Sequence, residues 1–133
     1  MNYEESSTMT TNEEVYFFDS YACIEIILGN ENYKKYMQAE MVFTKLNVYE
    51  VFLALLKKLG EKEANSFIEK TERNVVDFDK EVIKAAAKMR LWYNKSDVSM
   101  ADCIGYMVAK KMNIRFLTGD REFEHMDNVE FVK

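Results

Sequence analysis

The clearest apolar run in the chain is VYFF, residues 15–18, which no polar side chain interrupts. A short continuous run of aromatic and β-branched residues is typical of a strand covered on both faces in a parallel sheet. The run ends at Asp19, and the residues YACIEIIL then predict a helix that Ser20 caps and Gly29 ends. The first ordered unit is therefore predicted to be a strand followed by a helix.

Apolar residues at helical spacing predict further helices along the chain. These helices cover NENYKKYMQAE, residues 45–59 before Gly60, EKEANSFIEKTE, the segment that Asp79 caps and the segment that Ser99 begins. NVVDF, IRFLTGD and VEFV predict strands, whereas MVFT is compatible with a strand or with the lead into the next helix. Strands that alternate with helices, with no proline and no Asn-Gly turn, indicate an α/β domain around a mostly parallel sheet.

Charge divides the 133 residues into two parts. The first fourteen residues contain four acids and no base, so most of the net charge of −5 lies there. Residues 1–13 also lack a periodic apolar pattern, and we expect them to form a flexible acidic tail before one domain over residues 14–133. The remaining chain is close to neutral, so its charge does not exclude a nucleic-acid substrate.

Several classes of protein are disfavoured by the sequence. No apolar run has the roughly 20 residues of a spanning helix, and the N-terminus carries acids where a signal peptide carries bases, which predicts a cytoplasmic protein without membrane contact. Cys23 and Cys103 lie in apolar helical patterns without metal-ligand spacing and are expected to be reduced core thiols. His125 has no Ser or Cys motif around it, and no glycine-rich phosphate loop is present.

Four acids fall where the predicted elements would bring them to one edge of the sheet. Asp19 and Asp120 each follow a predicted strand, Asp102 lies in the first turn of a helix, and Glu50 lies among apolar neighbours in another helix. Each has a structural alternative: a turn residue at Asp19, a capping box of Asp102 with Ser99, a turn residue at Asp120 and a solvent-facing position for Glu50. Taken singly, each acid is explained by its structural alternative.

Taken together, the four acids indicate a metal site. Carboxylates that are packed together repel one another and raise each other's pKa, and a divalent cation relieves this repulsion. No lysine or arginine is adjacent in sequence to Asp19, Glu50 or Asp102. Because hard oxygen ligands suit Mg²⁺ or Mn²⁺ better than zinc, the sequence predicts one of these two ions as cofactor.

The residues around these acids resemble a known family. FFDSYACIEIIL, LNVYEVFLALL, SMADCIGYMVAKKMNIRFLTGDREF and VEFV, in this order, resemble the PIN-domain family of metal-dependent ribonucleases, and within it the small single-domain VapC-type toxins. The resemblance covers nearly the whole chain after residue 13 and implies a three-layer α/β/α sandwich. The chain departs from the family at Gly119, where asparagine is common.

The resemblance also implies roles for individual residues. Asp19, Glu50, Asp102 and Asp120 correspond to the acids that bind the divalent metal and carry catalysis, and Ser20 and Thr118 correspond to hydroxyl residues that support them. The implied reaction is endonucleolytic cleavage of RNA that leaves 5′-phosphate and 3′-hydroxyl ends. The implied partners are an RNA substrate, a second copy of the chain in a homodimer and, for a toxin, a cognate antitoxin protein.

Two other functions stay open at this point. A PIN-like interaction module without catalysis would retain the fold, and a metal-dependent phosphatase would also place acids at strand ends. The basic residues near the predicted site are equally open, because they could contact phosphates or lie on a solvated helix face. These residues are Lys110, Lys111, Arg115 and Arg121.

Overall fold

The structure, a computed structural model, describes residues 14–93 and 97–133. Within these ranges, the strands are β1 (Val15–Phe18), β2 (Glu40–Val42), β3 (Arg115–Thr118) and β4 (Val129–Phe131). The α-helices are α1 (Ser20–Leu28), α2 (Lys45–Lys58), α3 (Glu61–Glu69), α4 (Lys80–Trp92) and α5 (Met100–Met112). Short 3₁₀ helices cover Glu31–Gln38, Glu72–Asn74 and Arg121–Phe123. The predicted tail, residues 1–13, lies outside the described residues.

The four strands form one parallel sheet in the order β2-β1-β3-β4. Phe17 at its centre pairs with Val42 on one side and Phe116 on the other. Phe18 pairs with Leu117, so β1 and β3 end side by side. The residues that follow these two strands therefore share the carboxyl edge of the sheet, where parallel α/β proteins place their ligands.

Helices cover both faces of this sheet. On the face of Tyr16, the ring of Tyr36 from the first 3₁₀ helix lies 5.4 Å away, and α1 packs on the same layer. On the other face, α5 approaches so closely that a Cβ on Gly105 would lie 2.6 Å from a ring carbon of Phe17. Glycine at this position allows the contact, and α4 packs outside α5. The predicted three-layer α/β/α sandwich around a parallel sheet is confirmed.

Two segments differ from the predicted elements. NVVDF forms no strand, and only Val75 bridges to Phe43, because the chain leaves the edge of β2 at Thr44 to begin α2. The segment predicted as a helix after Gly29 is a 3₁₀ helix. Its buried tyrosines, Tyr33 and Tyr36, are three residues apart, and the three-residue turn of a 3₁₀ helix places both on the side that faces the sheet.

The core is aromatic, and it contains the two cysteines. Phe17, Phe18 and Phe116 are fully buried, and each contributes roughly 2–3 kcal/mol by leaving water. Cys23 in α1 and Cys103 in α5 are buried in the two helical layers and are not joined in a disulfide, as predicted. Of the helices in the described residues, none combines the length and the apolar character that crossing a bilayer requires.

Candidate active site

A pocket of about 490 Å³ opens at the carboxyl edge of the sheet. Its wall is built from the residues that follow β1 and β3, from the first turns of α1 and α5, and from one side chain of α2. All four predicted acids line it, Asp19, Glu50, Asp102 and Asp120, and a fifth acid, Asp97, lines it from the loop before α5. We call it the carboxylate pocket. Asp19 and Asp120, which are 101 positions apart in sequence, thus line the same pocket.

Asp19 lies at the centre of this edge and is 1% exposed. Its Oδ1 accepts a hydrogen bond of 2.8 Å from the amide of Ala22, and its Oδ2 accepts one from the hydroxyl of Thr118. Asp19 is therefore the N-cap of α1, in place of Ser20, which is its first helical residue. Burial raises the pKa of Asp19 well above its ordinary value, and the charge of Asp102 raises it further.

Glu50 is held in the pocket by a chain of polar groups. The Ser20 hydroxyl donates to Oε1 of Glu50 at 2.6 Å, and the Asn47 amide donates to the Ser20 oxygen at 3.1 Å. Oδ1 of Asn47 accepts from the amide of Thr44 at 3.0 Å, which closes a capping box at the start of α2. Asn47 and Thr44 are fully buried, so a satisfied buried network orients this carboxylate.

Asp102 and Asp120 both make the local hydrogen bonds that their structural alternatives predicted. The amide of Asp102 donates to the Ser99 hydroxyl at 3.0 Å, and Oδ1 of Asp120 accepts from the amide of Glu122 at 2.9 Å. The hydroxyl of Thr118 accepts from the amide of Asp120 at 3.0 Å. These bonds fix the backbone or the carboxylate while both side chains still line the pocket. The structural roles therefore coexist with a place in the site.

The four predicted acids of the pocket form no ion pair with a cation of the described residues. Within residues 14–93 and 97–133, no lysine or arginine lies within the 4.0 Å of an ion pair from Asp19, Glu50, Asp102 or Asp120. Burial, together with the charges of Glu50 and Asp120, raises the pKa of Asp102 to about 6. The pocket is thus an electrostatically costly cluster of negative charge.

Most of the basic residues near the site in sequence lie away from it in space. Lys110, Lys111 and Arg115 form ion pairs with other acids, with Asp127 at 3.1 Å, Asp79 at 2.6 Å and Glu130 at 3.3 Å respectively. Of the four candidates, Arg121 lines the pocket. Its other basic residue is Lys133, which the sequence did not single out because no motif surrounds it.

The fit of a divalent ion depends on donor chemistry and on charge. Four carboxylates on one pocket are hard oxygen donors suited to Mg²⁺ or Mn²⁺, and the raised pKa of Asp102 marks a place where a cation would relieve repulsion. In the present side-chain positions, no three acidic, histidine or cysteine side chains of the described ranges are grouped closely enough to hold an ion. For these acids to share one ion, their side chains would have to rotate so that the carboxylates come closer together.

Comparison with known proteins agrees with this architecture. The family model of the PIN domain matches residues 16–129. A chain from the solved toxin-antitoxin complex of Klebsiella pneumoniae superposes with a TM-score of 0.68 at 17% sequence identity, over 86% of this chain and 95% of that chain. Among curated proteins, none matches the sequence. The match of the family model runs from the second residue of β1 to the first residue of β4, and it includes Asp19, Glu50, Asp102 and Asp120.

Proposed function

Because the chain belongs to the PIN-domain family, whose members are generally nucleases, we propose that it is a divalent-metal-dependent endoribonuclease. The observation that carries this proposal is the carboxylate pocket, where Asp19, Glu50, Asp102 and Asp120 share one space and no cation of the described residues lies within ion-pair distance of them. Asp19 and Asp120 also cap helices, but an uncharged serine or asparagine would cap them without this repulsion. A function that uses Mg²⁺ or Mn²⁺ explains why the acids are gathered there.

The residues of the pocket would have different roles in catalysis. Asp19, Glu50, Asp102 and Asp120 would hold the ion, with Asp19 as the central ligand because it is the most buried. Ser20 and Thr118 hold Glu50 and Asp19 in orientation through their hydroxyls. When bound, the ion would polarise a water for attack and would place positive charge beside the scissile phosphate. A single-stranded RNA is the expected substrate, because its bases are exposed for recognition.

The direct test is cleavage of mixed RNA by the purified protein. We expect cleavage with Mn²⁺ or Mg²⁺, none with EDTA, and a loss on the order of 10³-fold for Asp19→Asn, since the charge of a metal ligand contributes several kcal/mol. The asparagine retains the acceptor for the amide of Ala22, so the helix cap survives. Metal-independent cleavage, or none with any metal, would contradict the proposal. Phosphate release from small esters alone would favour the phosphatase.

A binding measurement separates metal binding from catalysis. An ion that binds the folded state at 100 times its dissociation constant stabilises it by about 2.7 kcal/mol. We therefore expect Mn²⁺ to raise the melting temperature of the wild-type protein and to leave that of Asp19→Asn nearly unchanged. A wild-type protein that binds Mn²⁺ but cleaves no RNA would instead support a non-catalytic PIN-like module.

The likeness to a chain of a toxin-antitoxin complex supports a second part of the proposal. If this ribonuclease is a toxin, a small antitoxin protein would bind it, and a basic side chain of that partner would neutralise the carboxylate pocket. Co-expression with the neighbouring open reading frame, followed by purification through one partner, tests this. A cognate antitoxin should co-purify and suppress cleavage, whereas absence of a bound protein would favour a stand-alone ribonuclease.

A further inference from the structure

Lys133 is a cation beside the carboxylate pocket whose charge is not matched by an acid. It lines the pocket, yet its Nζ lies beyond ion-pair distance of every carboxylate in the described ranges. Nζ lies instead 3.3 Å from the carbonyl oxygen of Gly119 and 5.2 Å from the centre of the Tyr21 ring. Arg121, the other cation of the pocket, is paired with Glu124 at 3.3 Å. Lys133 is therefore the better placed of the two to meet an incoming anion.

The backbone places Lys133 firmly. The amide of Val132 donates to the carbonyl of Thr118 at 2.9 Å, which continues the pairing of β3 and β4 beyond Phe131. The carbonyl of Val132 accepts a hydrogen bond of 2.6 Å from the buried hydroxyl of Tyr33. Lys133 thus follows a residue that is bonded on both sides. Because its backbone is already ordered, a ligand need only order the side chain.

Gly119 makes room for the aromatic platform beneath the lysine. A Cβ at this position would lie 2.2 Å from Cε1 of Tyr21 and 2.6 Å from the carbonyl oxygen of Val132. Any larger residue would have to displace the Tyr21 ring or the strand that carries Lys133. Glycine in place of the asparagine common in the family therefore leaves the space over the turn to the side chains of Tyr21 and Lys133.

We propose that Lys133, positioned by Tyr21 and Gly119, binds a phosphate of the RNA strand beside the carboxylate pocket. This inference rests on the proposed ribonuclease function and names a substrate contact for it. An ammonium group is a compact point charge that donates up to three hydrogen bonds to phosphate oxygens. Contact with the Tyr21 ring holds it without cancelling its charge. It would offset the repulsion between the phosphate backbone and the acids.

The test compares Lys133→Met with Lys110→Met, its matched control. Lys110 also lies over a tyrosine, 5.7 Å from the ring of Tyr106, but it pairs with Asp127 and does not line the pocket. With single-stranded RNA and Mn²⁺, Lys133→Met should raise KM about tenfold with kcat nearly unchanged. The slope of log(kcat/KM) against log[salt] should fall by about 0.7, the share of one phosphate contact. Lys110→Met should change neither quantity.

Conservative variants and a binding assay complete the test. Lys133→Arg and Tyr21→Phe should retain most of the wild-type KM and salt slope, whereas Tyr21→Ala should move both toward Lys133→Met. Anisotropy of labelled RNA with Asp19→Asn protein should show tenfold weaker binding when Lys133→Met is added. Equal binding would overturn the role of Lys133 even if the wild-type protein cleaves RNA. Weaker binding without wild-type cleavage would overturn the ribonuclease and retain the phosphate contact.

Discussion

Two groups of acids lie at opposite ends of the central strands, and they differ in the partners of their carboxylates. Near the start of β1 and β3, Glu14 accepts the hydroxyl of Tyr16 at 2.6 Å, and Glu130 accepts the hydroxyl of Tyr36 and pairs with Arg115 at 3.3 Å. We call this group the tyrosine cluster. In the carboxylate pocket, the acids receive hydroxyl and amide hydrogen bonds, but no cation among residues 14–93 and 97–133 lies within ion-pair distance of Asp19, Glu50, Asp102 or Asp120.

The contrast separates structural acids from candidate functional ones. In the tyrosine cluster, each carboxylate has a partner that stabilises its charge, and the hydroxyls of Tyr16 and Tyr36 have a pKa raised by burial and by these bonds. In the carboxylate pocket, burial and repulsion raise the pKa of Asp19 and Asp102. A charge cluster that costs stability in the folded protein indicates a function that the pocket serves only with a cation present.

The largest expected difference between the two groups is in activity. Glu50→Gln removes a charge but retains an oxygen that accepts the Ser20 hydroxyl, so cleavage should fall by 10²- to 10³-fold, on the order of 3–4 kcal/mol. Glu130→Gln makes the same chemical change in the tyrosine cluster and should leave cleavage within about twofold. Initial rates on one RNA substrate measure both. Equal losses would erase the distinction between the two groups.

The next effect is on stability as a function of pH in metal-free buffer. The pKa of Asp102 is about 6 in the folded protein against an ordinary value of 3.8, so between these values the folded state holds more protons. Stability therefore falls as pH rises from about 4 to about 6, by roughly 3 kcal/mol for this group.

Urea unfolding of wild-type protein and Asp102→Asn at several pH values measures this contribution, together with the relief of Asp19, whose pKa the charge of Asp102 raises. The difference in free energy of unfolding, variant minus wild type, should increase by roughly 3 kcal/mol between pH 4 and pH 7. The lowered pKa values of the exposed acids Asp79 and Asp127 act below this range and are common to both proteins. A constant difference would show that Asp102 is not destabilised by its neighbours.

A smaller effect is expected from the network behind Glu50. Asn47→Ala leaves the Ser20 hydroxyl without its buried donor, so Glu50 should lose orientation and cleavage should fall by about 10- to 100-fold, as for outer partners of metal ligands. Asn74→Ala is the control, because its amide donates to the carbonyl of Met41 outside the pocket. Both rates are measured at the Mn²⁺ concentration that saturates the wild-type protein. A loss of activity that a higher Mn²⁺ concentration restores would point to weaker metal binding alone.

The smallest effect belongs to the tyrosine cluster. Tyr36→Phe removes one hydroxyl from Glu130, which keeps Arg115, so the free energy of unfolding should fall by about 1 kcal/mol with activity unchanged. The exposed Tyr49→Phe should leave stability unchanged and serves as the control. Chemical denaturation measures both variants. A change in RNA cleavage by Tyr36→Phe would show that the two ends of the sheet are coupled.

The sequence predicted the parts of the fold that follow from local pattern. VYFF, FLT and VEF became central or edge strands because their apolar residues suit a parallel sheet, and Asp79 capped α4 as its side chain allows. NVVDF is also rich in β-branched and aromatic residues but forms no strand, because a strand needs a neighbouring edge to pair with, and Val75 bridges only to Phe43, the residue after β2. Whether such an edge is available depends on the assembled sheet, which the local sequence pattern does not describe.

The same limit applies to the site. Strand-end logic was enough to place Asp19 and Asp120 at one edge, because the carboxyl ends of parallel strands meet wherever the chain between them goes. Asp102 was added by its place in the first turn of a helix, and Glu50 by its apolar neighbours in another. Asn47 and Lys133 could not be found in this way. Asn47 reads as an ordinary helix-start residue in T-x-x-N, and its contact with Ser20 depends on how α1 and α2 pack. Lys133 was not singled out because its contact is with Tyr21, which is 112 positions away in sequence and is close only in the folded chain.

The burial of one thiol in each helical layer gives the protein two internal reporters. Cys23 lies in α1 beneath Asp19, and Cys103 lies in α5 on the opposite face of the sheet. Reaction of either thiol with a maleimide requires its own layer to open. Alkylation rates of the two sites, resolved by peptide mass, would therefore show whether a divalent ion at the strand ends restrains both layers or only one.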